Sequence, residues 1–184
     1  MSEFSDRLAA RANDEDLLDV AYASLDTPLG TSIVAATSRG LVRVALPNER
    51  PDDMLAHLAR RLSPRVLEFP ARLDEARREL EQYFEGKRTH FDLRLDWRLS
   101  HPGFYRRVLR AMSRVPFGQV ITYTEAAERA GSPRAIRAAG TALGSNPLPI
   151  VVPCHRVVRS GGAIGNYGGG PEMKRFLLEL EGAL

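Results

Sequence analysis

The sequence predicts an α+β protein: an N-terminal half with a small antiparallel sheet and helices, then a mostly helical C-terminal domain with a helix-turn-helix and an active-site loop. Two observations predict this division, since β-branched segments punctuated by turns come first and amphipathic helical spacing dominates later. With 184 residues, 43% hydrophobic and 27% charged, the chain can form two small domains. We expect them at residues 1–99 and 100–184, divided near the Ser-His-Pro-Gly stretch at 100–103.

The N-terminal half carries the strand pattern. Segments 20–25 and 31–46 are rich in β-branched and apolar residues and are interrupted by turns, which predicts a small meander. Helices follow at 51–62 and 71–84, where apolar residues recur at helical spacing. A short alternating strand at 91–95 closes this half.

The C-terminal half begins with two helical segments. Apolar residues share one face of a predicted helix over 104–115. After a Pro-Phe-Gly break, Thr122 or Thr124 can cap a short helix that runs through Ala130.

A further helix completes a recognisable outline. Ser132 as the cap and Pro133 at the first helical position predict a helix that reaches Leu143. Helix, glycine-bearing turn and helix in this order outline a helix-turn-helix. The second helix combines small residues with Arg134 and Arg137, so it can approach another surface closely and still present cations.

Charge divides the chain into an acidic and a basic half. Residues 1–100 hold 15 Lys and Arg against 18 Asp and Glu, whereas residues 101–184 hold 11 against 5. A basic half favours a polyanion such as nucleic acid as partner, because Arg and Lys release counterions from phosphates. The competing interpretation is a compositional bias, since 24 of the 26 basic residues are Arg.

Several classes of protein are excluded. No apolar run approaches the roughly 18 residues of a membrane span, and the acidic N-terminus is unlike a signal peptide, so we expect a cytoplasmic protein without a membrane partner. Cys154 is the single cysteine, which excludes an intramolecular disulfide and a cluster of thiolate ligands. We expect no metal and no cofactor.

The informative stretch surrounds this cysteine. Three prolines within 147–153 fix φ, so we expect an extended chain that turns at Cys154. The thiolate is the nucleophilic form, and turn amides together with His155 or Arg156 can lower the pKa of the thiol.

A proton path from Cys154 to His155 needs a bridging water, because adjacent side chains rarely face each other. A carboxylate must then orient the far nitrogen of the imidazole. The candidates in the C-terminal helix are Glu172, Glu179 and Glu181.

A packing role is the competing interpretation, since a lone cysteine is usually a small buried hydrophobe and a lone histidine an ordinary core or surface residue. Here a glycine-rich loop at 160–170 follows the proline-locked cysteine, and its backbone can come close to a flat ligand. This combination favours a functional site.

The stretch Pro-Cys-His-Arg-Val at 153–157 resembles the active-site signature of the O6-alkylguanine-DNA alkyltransferases, also called methylated-DNA–protein-cysteine methyltransferases. The resemblance is strong over 102–181 and looser over the first hundred residues. It implies DNA repair by irreversible, stoichiometric transfer of the alkyl group from O6-alkylguanine to Cys154, with O4-alkylthymine open as a second substrate.

The implied partner is double-stranded DNA that contains O6-alkylguanine. The lesion base is flipped out from the minor-groove side, and the enzyme acts once, since nothing in the sequence can remove the alkyl group. We expect a monomer, with cooperative binding along DNA left open.

The resemblance implies four catalytic residues. Cys154 matches the alkyl acceptor, His155 the histidine that deprotonates it through water, and Glu181 the glutamate that orients this histidine. Asn146 matches the asparagine whose hydrogen bonds join the recognition helix to the active-site strand.

Substrate and DNA contacts are implied in the same way. Tyr123 matches the tyrosine at the mouth of the base pocket, and Arg137 the arginine that replaces the flipped nucleotide in the duplex. The residues matching the wall and rim of the pocket are Val157, Gly165, Tyr167 and Gly168. The residues expected to contact DNA are Thr124, Arg134, Ala135 and Arg137.

The sequence departs from some family members in two ways. An N-terminal zinc site of cysteines and histidines is not expected, because Cys154 is the only cysteine and His57, His90 and His101 are dispersed. Where some members have a serine in the rim, this chain has Gly168, which leaves backbone amides to hold O6 and leaves the tolerance of bulky alkyl groups open.

Two other functions remain possible at this point. A cysteine hydrolase could use Cys154 and His155, and it would need an oxyanion hole and repeated turnover. A lesion-binding helix-turn-helix protein without transfer would use Cys154 for packing alone.

Overall fold

A computed structural model describes residues 2–184, with side chains from Arg7 onward. The chain divides into two compact units. The first comprises the residues up to Gln82 together with Asp92–Leu99, and the second comprises Tyr83–Phe91 and Ser100–Leu184. The segment Tyr83–Phe91 thus belongs to the C-terminal unit, although it precedes residue 100 in the sequence.

A four-stranded sheet lies in the first unit, with strands β1 (Val20–Thr27), β2 (Gly30–Thr37), β3 (Gly40–Ala45) and β4 (Val66–Glu68). The spatial order is β3-β2-β1-β4. The antiparallel pairs β1–β2 and β2–β3 form the predicted meander. Strand β4, which is parallel to β1, was not predicted, because three residues are too few to show an alternation.

Three helices have their first turns in this unit: α1 (Ser2–Asp14), α2 (Pro51–Arg61) and α3 (Asp74–Phe84). Helix α2 has Pro at its start and acidic side chains in its first turn, where the proline ring fits and negative charge is favoured. Helices α2 and α3 agree with the predicted segments within a few residues, whereas α1 was not predicted.

The core of the first unit lies between the sheet and α2. Its members are fully or nearly fully buried apolar side chains from the meander, from α2 and from the end of the unit. They are Val20, Ala35, Val42, Ala45, Met54, Leu58 and Leu99. The face of the sheet that packs on α2 is therefore apolar, and the opposite face is buried as well, with Ala23, Leu25, Val34 and Val44 each no more than 2% exposed.

The predicted strand at 91–95 is wrong. Leu95 makes only an isolated bridge with Leu41, and no ladder follows. The next residue, Asp96, accepts hydrogen bonds from the Thr37 hydroxyl at 2.7 Å and from Arg98 Nε at 2.8 Å. Because these contacts draw the chain inward, it leaves the sheet after one residue.

The second unit holds four helices and a two-stranded parallel sheet, together with the last residues of α3. These elements are α4 (Phe104–Met112), β5 (Ile121–Thr122), α5 (Tyr123–Arg129), α6 (Ile136–Gly144), β6 (Val157–Val158) and α7 (Pro171–Leu180). The predicted α+β class is confirmed, and α5, a turn and α6 form the helix-turn-helix outline. Within residues 2–184 no helix is long and apolar enough to span a bilayer.

Thr122, rather than Thr124, caps α5. The Thr122 hydroxyl accepts from the backbone N–H of Glu125 at 3.2 Å, and the Glu125 carboxylate accepts from the backbone N–H of Thr122 at 2.6 Å. This reciprocal pair is a capping box, which satisfies two N–H groups that the first helical turn leaves without partners.

The predicted start of α6 at Pro133 is wrong, because the helix begins at Ile136 with no side-chain cap. The Ser132 backbone N–H bonds to Ala127 O at 2.9 Å and closes α5. Gly131, at φ +76°, reverses the chain, and residues 132–135 form a turn before the helix. Ser132 therefore ends the first helix instead of starting the second.

Candidate active site

A pocket of about 490 Å³ lies in the second unit beside Cys154. This size is ordinary for a small-molecule site. The sequence-predicted residues that line it are Tyr123, Thr124, Cys154, Tyr167 and Gly168. The structure thus brings five of the predicted residues around one cavity.

The same cavity has lining residues that sequence reasoning missed. Helix α6 contributes Ile136, Gly140, Leu143 and Gly144, and the loop after the cysteine contributes Arg159, Ser160 and Asn166. Two signals existed. Ile136, Gly140 and Leu143 recur at helical spacing on one side of α6, and Ser160 and Asn166 lie in the glycine-rich loop at 160–170 that the sequence predicts to approach a flat ligand.

Cys154 is 7% exposed and begins a short 3-10 helix, Cys154–Arg156. Asn146 lies just after α6, and its Nδ2 donates to Cys154 Sγ at 3.2 Å and to Val152 O at 2.8 Å. Its Oδ1 accepts from the Leu148 N–H at 3.0 Å. One buried amide therefore fixes the segment that joins α6 to the thiol.

The expected extended approach to Cys154 is wrong. Residues 147–152 form turns, with the Val152 N–H bonded to Leu148 O at 2.8 Å. Ile150 is in the left-handed region at φ +72°, which is rare for a β-branched residue. The fixed φ of proline also suits turns. In the turn at 147–152, the Asn146 side chain bonds to the Leu148 N–H and to Val152 O, two backbone groups inside the turn.

Burial raises the pKa of the Cys154 thiol. The Asn146 hydrogen bond, the Lys174 charge and the backbone N–H groups of Cys154 and His155 act in the opposite direction. The sequence led us to expect that neighbours lower this pKa, but burial outweighs them. The thiol is therefore protonated at rest and needs a proton acceptor to become a nucleophile.

His155 is fully buried, and its Nε2 lies 2.8 Å from Glu181 Oε1. A carboxylate at this distance favours the proton on Nε2 and leaves a lone pair on Nδ1. Nδ1 is buried and has no hydrogen-bond partner among the described residues. Burial lowers the pKa of His155 despite the carboxylate, so the imidazole is neutral near pH 7.

Of the three candidate carboxylates, Glu181 is the one that reaches His155; Glu172 and Glu179 are exposed. The carboxylate of Glu181 accepts hydrogen bonds from four residues. Oε1 accepts from Tyr83 Oη at 2.6 Å, His155 Nε2 at 2.8 Å and Arg156 Nη2 at 2.9 Å, and Oε2 from Arg156 Nε at 2.7 Å and the Gly118 N–H at 3.4 Å.

These donors decide the ionisation of Glu181. Burial alone would raise the pKa of this carboxyl, but the hydrogen bonds from His155, Arg156 and Tyr83 lower it to about 2. The group is thus a buried anion, stable because its lone pairs are occupied.

Lys174 is a second buried charge that sequence reasoning missed. Its Nζ donates to Val157 O at 2.5 Å and to Asn166 O at 3.4 Å, which ties β6 to the glycine-rich loop. Burial lowers the pKa of Lys174 to about 8. A signal existed, because this lysine interrupts the apolar stripe of α7 that includes Met173 and Leu177.

Tyr123 stands between α6 and the loop. Its Oη donates to Asn166 O at 3.5 Å. A Cβ on Gly165 would lie 3.2 Å from that hydroxyl, and Gly165 has φ +74°, so glycine is required there. Val157, predicted in the pocket wall, is fully buried in β6 and does not line the cavity.

Of the four residues expected to contact DNA, Arg134, Ala135 and Arg137 lie at the turn before α6 and on its first turn, whereas Thr124 lies in α5 and lines the pocket. Arg134 and Ala135 line a separate open hollow of about 500 Å³ with Ser132 and Pro133. Arg137 is exposed on α6, next to the pocket-lining Ile136, which is 40% exposed. Among the described residues, no group of three or more His, Cys, Asp or Glu side chains could hold a metal ion.

Comparison with known proteins identifies the family. The model of the 6-O-methylguanine DNA methyltransferase ribonuclease-like domain matches residues 20–97, and that of the DNA binding domain of the same family matches 103–183. The chain belongs to the O6-methylguanine-DNA methyltransferase family. It is a methylated-DNA–protein-cysteine methyltransferase, a DNA-repair enzyme whose partner is DNA.

Individual relatives agree with this assignment. A methylated-DNA–protein-cysteine methyltransferase of Mycolicibacterium paratuberculosis is 37% identical over 162 residues, 88% of this chain and 92% of that protein. The crystal structure of the Mycobacterium tuberculosis O6-methylguanine methyltransferase has a TM-score of 0.77 at 35% identity, covering 89% of this chain and 93% of the other. A structure of Mycobacterium tuberculosis OGT in complex with DNA has the same TM-score, identity and coverage.

The buried carboxylate of this methyltransferase generates a prediction about stability and pH. The pKa of Glu181 is about 2 in the folded chain, below its ordinary value of 4.5. Its stabilising charge is therefore fully present above pH 4.5 and is lost as the pH falls toward 2. We expect Glu181→Gln to lower the free energy of unfolding near pH 7 by about 3 kcal/mol, and the difference from wild type to narrow with falling pH.

Urea unfolding followed by circular dichroism at several pH values between 7 and 3 measures this difference. Glu179→Gln, on the exposed side of α7, is the matched control and should change little at any pH. A difference between wild type and Glu181→Gln that stays constant over this pH range would contradict the assignment of a buried anion.

Proposed function

We propose that this enzyme transfers the alkyl group from O6-alkylguanine in double-stranded DNA to Cys154 in a single irreversible step. The observation that carries the proposal is the thiol in the wall of a pocket, backed by a buried His155–Glu181 pair with one uncommitted imidazole nitrogen. A nucleophile, a base and an orienting carboxylate are the three parts that thiol activation needs.

Proton transfer from the thiol comes first. The neutral imidazole accepts the Cys154 proton at Nδ1 through a water, because adjacent residues do not bring Sγ and Nδ1 into direct contact. Glu181 stabilises the imidazolium that results, and Asn146 Nδ2 and the Lys174 charge stabilise the thiolate. Because burial raises the pKa of the thiol, Cys154 ionises only when His155 accepts its proton.

Alkyl transfer follows with a balanced exchange of bonds. The sulfur of Cys154 forms a bond to the alkyl carbon as the bond from that carbon to guanine O6 breaks. The guanine leaves with the electron pair and takes a proton at N1, so the thiol proton ends on the repaired base. Tyr123 donates a hydrogen bond to the base, and its pKa, raised by burial, keeps this hydroxyl protonated.

The product on the protein is a thioether. Cys154 is the only cysteine in the sequence, so no second thiol can accept the alkyl group. The thiolate is also a poor leaving group from the alkyl carbon of a thioether, so the alkyl group stays on the sulfur. We infer one transfer per molecule, which makes the protein a suicide enzyme.

The lesion must leave the base stack before it can enter the pocket, at a cost of a few kcal/mol. Arg137, exposed beside the pocket-lining Ile136, is suited to fill the gap in the duplex and offset part of this cost. The small residues of α6 permit close approach to DNA, and the family resemblance, rather than this composition, implies entry from the minor groove.

The remaining predicted residues have roles in holding the base and the backbone. Tyr167 and Gly168 line the pocket and would form its wall and rim, Gly165 does not line the cavity but leaves room for the Tyr123 hydroxyl, and Val157 is buried in β6. Near the mouth, Thr124, Arg134 and Ala135 contact the DNA backbone. With Gly168 in the rim, backbone amides of the loop hold O6.

The thiol, the imidazole, the orienting carboxylate and the pocket beside them all come from one chain, so we propose a monomer. The same transfer assay with an O4-alkylthymine duplex decides whether that base is a substrate, and titration with longer duplexes measures cooperativity.

Stoichiometric transfer to Cys154 is the first prediction from this function. Mixed with an equimolar duplex that contains O6-methylguanine, the protein should gain one methyl group, and mass spectrometry of the peptides should place it on Cys154. Cys154→Ala should bind the duplex with unchanged affinity but gain no methyl group, because it lacks only the sulfur.

Three outcomes would contradict the proposal. They are a label on another residue, transfer beyond one equivalent, or an unlabelled wild-type protein that still binds the duplex. Repeated turnover of an ester by wild type would favour a cysteine hydrolase, and binding without transfer would favour a lesion-binding protein.

The role of Arg137 is tested by comparing two forms of the substrate. Arg137→Ala should slow transfer from duplex DNA by about 10- to 100-fold, because filling the vacated stack contributes part of the flipping energy. Transfer from a single-stranded oligonucleotide should change much less, since its bases are not held in a duplex.

Arg134→Ala is the matched control on the neighbouring turn. It should weaken binding to duplex and single-stranded DNA alike. The slope of log affinity against log salt concentration should become less steep by about one, the value for one phosphate contact. Equal losses on duplex and single strand for Arg137→Ala would remove the proposed role in base flipping.

A further inference from the structure

Tyr83 has a position that its place in the sequence does not suggest. It lies 98 residues before Glu181, at the end of α3, yet it belongs to the unit that contains the pocket. The residue is fully buried, and its hydroxyl donates to Glu181 Oε1 at 2.6 Å. The family model that covers this position is that of the ribonuclease-like domain, at 20–97.

The ring of Tyr83 is fixed by aromatic neighbours. The ring centroids of Phe84, Phe91 and Phe117 lie 5.4, 5.5 and 6.1 Å from its own, and two of the three contacts are edge-on. A phenylalanine could fill this cluster equally well. The hydroxyl is therefore the feature to explain, because burying it is unfavourable without a partner, and its partner here is the carboxylate.

The oxygen that accepts from Tyr83 is also the oxygen that holds His155. Glu181 Oε1 accepts from Tyr83 Oη, His155 Nε2 and Arg156 Nη2, so the three donors share its electron density. A donor added to a carboxylate weakens the attraction of that carboxylate for the others. Tyr83 can thus change the basicity of the imidazole without touching it.

We propose that Tyr83 is a positioning residue of the proton relay: its hydroxyl fixes the Glu181 carboxylate and limits how strongly that carboxylate stabilises the His155 imidazolium. The inference rests on the proposed function, because the relay matters only if His155 accepts the Cys154 proton. A tyrosine from the N-terminal part of the sequence then tunes the base of the alkyl-transfer reaction.

The electrostatic surroundings define the direction of the effect. His155 faces Glu181 and the charges of Arg156 and Lys174, whereas Glu181 faces His155, Arg156 and Tyr83. Without the Tyr83 hydroxyl, Oε1 interacts more strongly with His155 and favours the imidazolium. Less neutral base is then available at a given pH.

Single-turnover transfer from an O6-methylguanine duplex, measured from about pH 5 to pH 9, tests this role in Tyr83→Phe. We expect the midpoint of the acid limb to move up by roughly half a pH unit or more. The rate should therefore fall by about three-fold on the acid limb and much less near pH 7, where the imidazole is neutral. Tyr105→Phe, on α4, is the matched control and should leave both unchanged.

Nuclear magnetic resonance gives a readout that does not depend on transfer. In Tyr83→Phe the His155 ring nitrogens should titrate at higher pH, while His57, His90 and His101 serve as unchanged references. Site-specific replacement of Tyr83 by a fluorotyrosine, which donates more strongly, should shift the His155 titration and the acid limb in the opposite direction. Thermal melting confirms that each variant is folded.

The outcomes separate this inference from the proposed function. An active wild type with opposite shifts in the two variants supports the positioning role. An active wild type whose pH profile and His155 resonances are identical in Tyr83→Phe shows that the hydroxyl only packs, and it overturns the inference alone. A wild type that transfers nothing overturns the proposed function, whatever the resonances show.

Discussion

The second unit depends on one buried anion, the carboxylate of Glu181. Its donors come from parts of the chain that lie far apart in the sequence: the end of α3, the turn at Gly118, and the segment that follows the cysteine. Leaving any of these donors or the carboxylate unpaired would cost more than a typical single hydrogen bond contributes, because the charge is withdrawn from water. The same interaction that connects these segments also holds the imidazole beside the thiol, so stability and reactivity share one group.

Burial has two effects on the reacting sulfur. It raises the pKa of Cys154, which keeps the thiol protonated and slow to oxidise, since the thiolate is the oxidisable form. It also removes water from the site, so each nearby dipole and charge acts more strongly on a developing thiolate. Asn146 and Lys174 are placed to use this effect, one through a direct hydrogen bond and the other through its charge. In the proposed single-turnover reaction, a sulfur that stays unreactive until a substrate arrives preserves the one nucleophile of the site.

Apolar residues at helical spacing predicted α3 and α4, β-branched segments with turns predicted the meander, and capping residues with a glycine turn predicted the outline of α5 and α6. Elements that depend on single contacts were missed or wrong. Asp96 stops a strand that alternation alone would extend, and Ser132 closes α5 where its residue type suggested a cap for α6. At the site, the motif around Cys154 and its resemblance to a family identified the residues that form the relay. Tyr83 could not be found in this way, since its partner lies 98 residues away and no local pattern records that contact.

The central claim is that His155 rests as a neutral imidazole with its proton on Nε2, facing Glu181, and with Nδ1 free to accept the proton of Cys154. Nitrogen-15 chemical shifts of the His155 ring in the unreacted wild-type protein near pH 7 measure this directly. We expect a protonated Nε2 and an unprotonated Nδ1. A proton on Nδ1, or an imidazolium at this pH, would contradict it, because no base would then be available to activate the sulfur.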